Sequence, residues 1–310
     1  MNHINGLIAA PFTPFHANHK LHLEIIPGYV EKLVRDDLKG IFVCGSNGEG
    51  PNMTMEERML VAEAFKQSAA GRLKVFVHVG HTSIAESRKL AIHAREIGAD
   101  AVSSVAAFYF KPGAVSTLVS AMSQIAEAVP DMPFYYYHIP HLTGVGMDMI
   151  EFLKLSEKKI PNLAGIKYTA STLWEYQLCL GYAGGRYDIL FGLDEMLLPA
   201  LSVGCKGAIG STYTFAAPLY LQVYNAFQQG NWEEAREKMF YLVEMIRVLL
   251  MFPPIPAQKA IMKRLGFDLG PNRLPLVTLS KEEESQLYKK LDGLQFFEKL
   301  NPGKAVVNVL

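Results

Sequence analysis

Short apolar or β-branched segments alternate with amphipathic helical stretches along the first 230 residues of the chain. The helical stretches, for example 54–70 and 83–97, repeat apolar residues at the spacing of one helix face. Thr54 and Glu57 stand at the start of the first stretch, where their order predicts a capping box. The apolar segments have the length of single strands. We predict eight strands, at 7–13, 41–45, 75–80, 101–106, 133–139, 164–169, 189–192 and 208–212.

The number and order of these strands favour a (β/α)8 barrel, also called a TIM barrel. Strands that alternate with helices form parallel sheets, and eight strands over about 220 residues are enough to close one. A doubly wound open sheet produces the same periodicity, so this alternative stays open at the level of sequence. The predicted fold class is α/β, with an active site at the carboxyl ends of the strands.

The chain changes character after residue 230. Helices are predicted at 232–250, 256–265 and 281–299. We therefore predict two parts, a catalytic barrel over 1–230 and a helical extension over 231–310 that packs on the barrel.

Composition indicates a well-buried globular protein. Half of the 310 residues are hydrophobic, and 19% are charged. Thirty basic residues balance thirty acidic ones, so no net positive field is available to attract nucleic acid or an anionic membrane. The apolar segments fall short of membrane-spanning length, and the first of them does not match a secretory signal. We therefore expect a soluble protein that acts on a small molecule.

The cysteines and clustered histidines match no recognised metal site. Cys44, Cys179 and Cys205 are far apart and odd in number, which also argues against a disulfide framework and favours a cytoplasmic location. His16 and His22 flank His19 at equal spacing in a polar turn, but the second half of a metal site is missing. We therefore expect no metal.

A lysine interrupts the apolar strand predicted at 164–169. Alternation along a strand places Gly165, Lys167 and Thr169 on one face. If that face points to the barrel axis, Gly165 leaves room beside the lysine, and burial lowers the pKa of the amine. A neutral amine attacks carbonyl carbons, so Lys167 is a candidate for a Schiff base. The alternative is a lysine at the strand end that reaches solvent.

Tyr137 lies one predicted strand earlier, in the segment 133–139. Neighbouring strands are about 4.8 Å apart, so the tyrosine hydroxyl can come close to the amine of Lys167. A phenol in that place can carry protons to and from a reacting oxygen. Aromatic residues are also ordinary strand and core residues, and that interpretation stays open.

Polar residues follow three other predicted strands. The turn at 44–50 holds Ser46 and Asn47 between glycines, and its donors suit a small carboxylate, although a plain βα turn has the same pattern. Its glycine spacing fits neither a dinucleotide fingerprint nor a P-loop. Asp194 and Glu195 follow the seventh strand, where they can accept hydrogen bonds from sugar hydroxyls or favour a helix N-terminus. Ser211 lies at the end of the eighth strand.

Four motifs together resemble the N-acetylneuraminate lyase and dihydrodipicolinate synthase superfamily. They are Gly-Ser-Asn-Gly-Glu at 45–49, Tyr-His-Ile-Pro at 137–140, Gly-Ile-Lys at 165–167 and Gly-Ala-Ile-Gly-Ser-Thr at 207–212. The resemblance covers most of the barrel and is strongest to the sialic acid lyase branch. It implies a barrel with a C-terminal helical extension, usually assembled as a homotetramer.

The resemblance implies a class I aldolase that cleaves N-acetylneuraminate to N-acetylmannosamine and pyruvate. It assigns the Schiff base to Lys167 and the proton relay to Tyr137, with no cofactor besides the covalent lysine adduct. It places the pyruvate carboxylate at Ser46 and Asn47. Tyr109 is similar to a tyrosine that reaches into a neighbouring subunit's site. The sugar contacts that it implies are Thr169, Gly192, Asp194, Glu195 and Ser211.

The chain departs from the family pattern at four positions. Asn47 stands where the family has threonine, His138 where asparagine is commoner, and Leu193 where tyrosine is commoner. Leu142 replaces the arginine with which the synthase branch grips a second carboxylate, which argues against a dicarboxylate-like substrate. Two alternatives stay open. One is another pyruvate-dependent aldolase of the superfamily, acting on a 2-keto-3-deoxy sugar acid or resembling dihydrodipicolinate synthase; the other is a catalytically silent barrel.

Overall fold

Eight parallel strands close into a barrel in the computed structural model, which describes residues 3–300. They are β1 (Gly6–Ala9), β2 (Gly40–Val43), β3 (Lys74–His78), β4 (Ala101–Val105), β5 (Phe134–His138), β6 (Leu163–Tyr168), β7 (Asp188–Phe191) and β8 (Gly207–Gly210). Each strand pairs with the next along the chain, and β8 pairs with β1 from Gly6↔Gly207 to Ala9↔Gly210. This last pairing confirms the predicted barrel and excludes an open sheet.

All eight predicted strands are present, and each ends earlier than predicted. The first ends at Ala9 instead of residue 13, and the eighth ends at Gly210 instead of residue 212. The apolar pattern continues past these points because the residues that follow are still buried in the loops at the barrel mouth. Strand ends are therefore poorly marked by hydrophobicity in this chain.

Helices connect the strands and continue the chain beyond the barrel. Those in residues 3–300 are α1 (Ile26–Arg35), α2 (Met55–Ala69), α3 (Ile84–Glu96), α4 (Val115–Ala126), α5 (Pro140–Thr143), α6 (Met149–Ser156), α7 (Leu173–Gly181), α8 (Leu197–Ser202), α9 (Tyr213–Gln228), α10 (Trp232–Leu249), α11 (Pro254–Arg264), α12 (Lys281–Gly293) and α13 (Phe296–Leu300). The capping box of α2 is confirmed, because Thr54 and Glu57 exchange backbone-to-side-chain hydrogen bonds of 3.0 and 3.2 Å. None of these helices is by itself long and apolar enough to cross a membrane; α10 and α11 meet that test only as a pair bent by 112°.

The prediction of a single helix over 281–299 is wrong, because two helices, α12 and α13, occupy this stretch. Gln295 adopts a left-handed φ of 55° between the two helices and interrupts the regular backbone. The break turns Phe296 and Phe297 into the core, where the Phe296 ring lies 6.1 Å from the ring of Phe215. Burial of two aromatic side chains offsets the strain of the turn. The last part of the predicted extension, 301–310, lies outside the described residues.

Buried polar contacts attach the C-terminal helices to the barrel. Glu49, in the loop after β2, forms an ion pair of 3.0 Å with Lys259 of α11, and both side chains are almost fully buried. The same carboxylate accepts hydrogen bonds from Asn272 Nδ2 at 2.8 Å and from the N–H of Arg273 at 2.9 Å. These contacts hold Glu49 at a φ of 53°. The polar loop at 44–50 is therefore fixed against α11.

Candidate active site

Nine residues singled out from the sequence line one cavity at the carboxyl ends of the strands. They are Ser46, Asn47, Tyr137, Lys167, Thr169, Gly192, Asp194, Glu195 and Ser211. The cavity has a volume of about 210 Å³. Its residues come from five different strands or the loops that follow them, so only closure of the barrel brings them together.

Lys167 points into the barrel interior beside two aromatic rings. It is paired with Tyr137 between β6 and β5. Its Nζ lies 4.1 Å from the centre of the Tyr137 ring and 3.9 Å from the centre of the Phe42 ring. The lysine is only 4% exposed, so the alternative of a side chain that reaches solvent is excluded.

The surroundings of Lys167 favour its neutral form. Burial lowers the pKa of Lys167 to about 7, and the negative charge of Asp194 opposes this effect. An ordinary lysine has a pKa near 10.4 and is almost fully protonated at pH 7. A large fraction of the Lys167 side chain is therefore unprotonated at neutral pH, and the unprotonated amine is the nucleophilic form.

Tyr137 remains a neutral phenol at neutral pH. Burial raises the pKa of Tyr137 to about 12, an effect that the neighbouring Ser46 hydroxyl partly offsets. A neutral phenol both donates and accepts a hydrogen bond, so it can relay a proton between two oxygens without storing a charge. The rings of Phe42 and His78 pack edge-on against Tyr137, with centroid distances of 5.4 and 5.9 Å. These contacts fix the orientation of the phenol.

The prediction that Gly165 leaves room beside Lys167 is wrong, because the glycine has a different structural role. A Cβ at this position would lie 1.8 Å from the carbonyl oxygen of Asp188 on β7, so the glycine is required for close approach of two strands. The pairing register between β5 and β6 shifts beside it. Ala164 packs with the residues of the barrel interior, so the predicted alternation also fails at this position.

Ser46 and Asn47 lie on the cavity wall in a tightly wound turn after β2. Cys44 and Glu49, which flank them, take left-handed φ values of 58° and 53°. A Cβ at Gly50 would lie 2.0 Å from the carbonyl oxygen of Cys44, so only glycine fits there. The turn is thus rigid, and it presents two polar side chains to the cavity.

Asp194 is held in place by the chain that follows β8. The N–H and the hydroxyl of Thr212 donate to Asp194 Oδ2 at 2.8 and 2.7 Å, and the Ser211 hydroxyl donates at 3.3 Å. A Cβ at Gly210 would lie 2.0 Å from Oδ1. Burial raises the pKa of Asp194 to about 6, although the Thr212 hydrogen bonds favour its ionised form. This carboxylate is oriented before any ligand binds.

Thr169 places a buried hydroxyl at the cavity wall. Within residues 3–300, its Oγ1 has no hydrogen-bond partner. An unpaired buried hydroxyl costs about 1–3 kcal/mol. The nearby polar group is the phenol of Tyr137, whose pKa is raised by burial and lowered in part by the Thr169 hydroxyl. A Cβ at position 192 would lie 2.0 Å from this oxygen, so Gly192 provides the space that the hydroxyl occupies.

Sequence reasoning missed the part of the wall that the C-terminal helices supply. The cavity is lined by Ile246 and Leu249 of α10, by Leu250 directly after that helix, and by Gln258 of α11. It also missed Thr212 as the main partner of Asp194. No local pattern marks these residues, because α11 is buried all round from Pro256 to Met262, and the polar Gln258 and Lys259 stand side by side among apolar residues there.

Tyr109 lies outside the cavity that contains Lys167. It is 77% exposed and lines a separate cavity of about 640 Å³ together with Phe110 and Lys111. Its ring packs edge-on against the ring of Phe110 at 5.0 Å. The contact of Tyr109 with a neighbouring subunit stays a prediction.

His16 and His22 come together with Glu24, and His19 does not join them. The two imidazole rings stack at 4.2 Å, and the three side chains offer ligand atoms within 4.8 Å of one another. His16 and Glu24 are exposed. The group shares no residue with the cavity around Lys167.

The arrangement suits attack of an amine on a carbonyl compound that carries a carboxylate and several hydroxyls. Lys167 offers a buried amine that can act as a nucleophile, and its strand partner Tyr137 offers a phenol that can carry a proton. The rigid turn at 44–50 offers donors for a carboxylate. Asp194 and Thr169 offer polar groups for hydroxyls at the other strand ends.

Comparisons with known proteins point in the same direction. The model of the dihydrodipicolinate synthetase family matches residues 3–294. The chain is 40% identical to the N-acetylneuraminate lyase of Xenopus tropicalis over 284 residues, which cover 90% of this chain and 93% of the relative. The solved structure of N-acetylneuraminate lyase from Aliivibrio salmonicida superposes on this chain with a TM-score of 0.93 at 40% identity. The superposition covers 96% of this chain and 98% of the Aliivibrio chain. The enzyme of Proteus mirabilis gives a TM-score of 0.92 at 37% identity, with coverage of 95% and 100%.

Proposed function

Because this chain belongs to the dihydrodipicolinate synthetase family, we propose that it is a class I aldolase that cleaves N-acetylneuraminate to N-acetylmannosamine and pyruvate. The observation that carries the proposal is the desolvated amine of Lys167, which is paired across the sheet with Tyr137 inside the cavity. Relatives that bear the lyase name share 36–40% of their residues with this chain over most of its length. An apolar Leu142 at the cavity wall supports a sugar acid over a substrate with a second carboxylate.

The reaction begins with formation of an iminium ion. The neutral amine of Lys167 adds to the C2 ketone of the open-chain substrate. The hydroxyl formed in this addition takes up a proton from solvent and leaves as water, so the remaining C=N bond carries a positive charge. Ser46 and Asn47 hold the adjacent carboxylate during this step. The iminium then acts as the electron sink of the reaction, so the proposed chemistry requires neither a metal nor an organic cofactor.

Carbon–carbon cleavage follows through a proton relay. The proton of the C4 hydroxyl passes to the Tyr137 oxygen while the phenol passes its own proton to the substrate carboxylate, which suits a tyrosine that stays neutral. The C3–C4 electron pair moves into the iminium, which becomes an enamine, and C4 becomes the aldehyde of N-acetylmannosamine. Protonation of the enamine at C3 and hydrolysis by water release pyruvate and restore the Lys167 amine.

The sugar part of the substrate occupies the rest of the cavity in this proposal. The hydroxyls bind to the polar residues at the ends of β6, β7 and β8. These residues are Thr169, Gly192, Asp194, Glu195 and Ser211. The oriented carboxylate of Asp194 and the unpaired hydroxyl of Thr169 support this placement.

The wider organisation that we propose follows the family. Residues 1–230 form the catalytic barrel, and residues 231–310 form the helical extension. The chain assembles as a homotetramer in the cytoplasm, and Tyr109 reaches into a neighbouring subunit's site. The exposure of Tyr109 supports that contact.

Two measurements test the proposed function. Borohydride added together with pyruvate fixes a reduced pyruvyl adduct on Lys167, and a Lys167→Ala variant that still incorporates pyruvate would end the proposal. A panel of sugar acids then identifies the substrate. Release of N-acetylmannosamine from N-acetylneuraminate supports the lyase, whereas cleavage of a 2-keto-3-deoxy sugar acid alone assigns the chain to another aldolase of the family.

A further inference from the structure

The two sides of the cavity wall differ in their chemistry. The loops after β7 and β8 present carboxylates and hydroxyls, from Asp194, Glu195 and Ser211. The C-terminal helices present an apolar surface with a single amide. Its residues are Ile246, Leu249, Leu250, Pro254 and Gln258. A wall with one amide among apolar side chains recognises a different substituent from a wall of carboxylates and hydroxyls.

Gln258 is buried without the hydrogen bonds that a buried amide normally forms. It is 5% exposed, and its Oε1 has no partner within the part of the chain that the structure describes. Buried side-chain polar atoms are in large majority hydrogen-bonded, and each exception calls for an explanation. Because Gln258 lines the cavity, a bound ligand can approach its amide and offer it a hydrogen bond.

The backbone holds Gln258 in this position. Every residue of α11 from Pro256 to Met262 is buried, so the helix has no free face on which to turn. The next residue, Lys259, pairs with Glu49 at 3.0 Å and donates to the carbonyl oxygen of Pro271 at 3.1 Å. These contacts fix the rotation of α11 about its axis and keep Gln258 at the cavity wall before a ligand arrives.

We propose that Gln258 binds the acylamino substituent of the substrate. An acylamino group offers one N–H and one carbonyl oxygen, so it can pair with either end of the glutamine amide. Its alkyl end contacts the apolar side chains of Ile246 and Leu249 on the same wall. This assignment rests on the proposed lyase function, and it names the residue that distinguishes an N-acylated sugar acid from its hydroxyl counterpart.

The test compares two substrates in the intact chain. One is N-acetylneuraminate, and the other is the same sugar acid with a hydroxyl in place of the acetamido group. Gln258→Leu is expected to lower kcat/KM for N-acetylneuraminate roughly tenfold, the loss of one buried neutral hydrogen bond. The loss falls mainly on KM, since the amide holds the substrate and the transition state alike. The hydroxyl analogue loses less than threefold, so the preference between the two substrates shifts.

A control variant and two further measurements separate a binding role of Gln258 from a structural one. Gln177→Leu on the exposed surface of α7 is the matched control and should leave both substrates unchanged. Borohydride trapping of pyruvate should proceed at the wild-type rate in Gln258→Leu, because pyruvate carries no acylamino group. The melting temperature should not fall, since leucine replaces an unpaired buried amide of similar size.

The outcomes distinguish this assignment from the proposed function on which it rests. Equal losses on both substrates, no loss on either, or impaired pyruvate trapping would each overturn the assignment of Gln258 while the lyase function stands. Failure of the wild-type chain to cleave N-acetylneuraminate would overturn the lyase function and this assignment with it.

Discussion

Lys167 and Asp194 stabilise each other's charged forms across the cavity, and burial opposes both. The pKa of the lysine is lowered to about 7 by burial, and the carboxylate raises it in part. The pKa of the aspartate is raised to about 6 by burial, and the lysine lowers it in part. Two groups that titrate near neutral pH in one small cavity make the activity of this chain sensitive to pH.

The rate of imine formation with pyruvate should therefore depend on pH around neutrality. The neutral amine is the reactive form, so the trapping rate rises with pH to about 7 and levels off above it. Asp194→Asn removes the charge that favours the ammonium ion, and we expect the inflection to move to lower pH. Rates of borohydride trapping across a pH series measure this shift.

The exposed variant Asp131→Asn is the control for that series, and its inflection should match that of the wild type. A wild-type inflection near the ordinary lysine value, or a shift to higher pH in Asp194→Asn, contradicts the assignment of Lys167 as a desolvated nucleophile.

Tyr137→Phe should separate imine formation from bond cleavage. The ring, and with it the wall beside Lys167, is retained, whereas the proton relay is lost. We expect kcat for N-acetylneuraminate cleavage to fall about 10²-fold to 10⁴-fold, the usual contribution of a positioned proton carrier. Pyruvate trapping should fall far less. Turnover equal to that of the wild type would remove Tyr137 from the mechanism.

Gly165→Ala should strongly destabilise the barrel. The added Cβ would overlap the carbonyl oxygen of Asp188 at 1.8 Å, and neither strand can move away without breaking the sheet. We expect a loss of at least about 3 kcal/mol in the free energy of unfolding, measured with urea. Gly28→Ala is the matched control, because a Cβ on α1 meets nothing within 4 Å; it should stabilise the chain by about 0.5–1 kcal/mol. Equal effects at both positions would contradict the close approach of β6 and β7.

Removing one partner of the Glu49–Lys259 pair should cost about 3–5 kcal/mol of stability, since a buried charge is left without a counter-charge. Lys259→Met tests this in urea, and Lys259→Met combined with Glu49→Gln should recover part of the loss. Lys89→Ala, which breaks the exposed pair with Glu86, should cost less than about 1 kcal/mol. A Lys259→Met variant as stable as Lys89→Ala would show that the pair does not hold α11 to the barrel.

Much of the fold can be predicted from the sequence, because a pattern of a few residues marks each strand and most of the longer helices. The eight apolar segments follow from burial of both faces of a parallel strand, and all eight form. Lys167 and Tyr137 can be identified as candidate site residues for a related reason. A lysine within an apolar strand is incompatible with ordinary packing, and strand spacing alone brings it near its neighbour.

The tertiary structure decided the features that depend on elements distant along the chain. Gln258 reaches the cavity only because Lys259 and Glu49 lock α11 over the barrel mouth. Gly165 is needed because the backbone of Asp188 approaches it from the next strand. The helix breaks at Gln295 because Phe296 and Phe297 are buried in the core. Local patterning records whether a residue is buried, but not which surface buries it. Which surface buries a residue depends on packing between elements that are far apart along the chain, and no short stretch of sequence records those contacts.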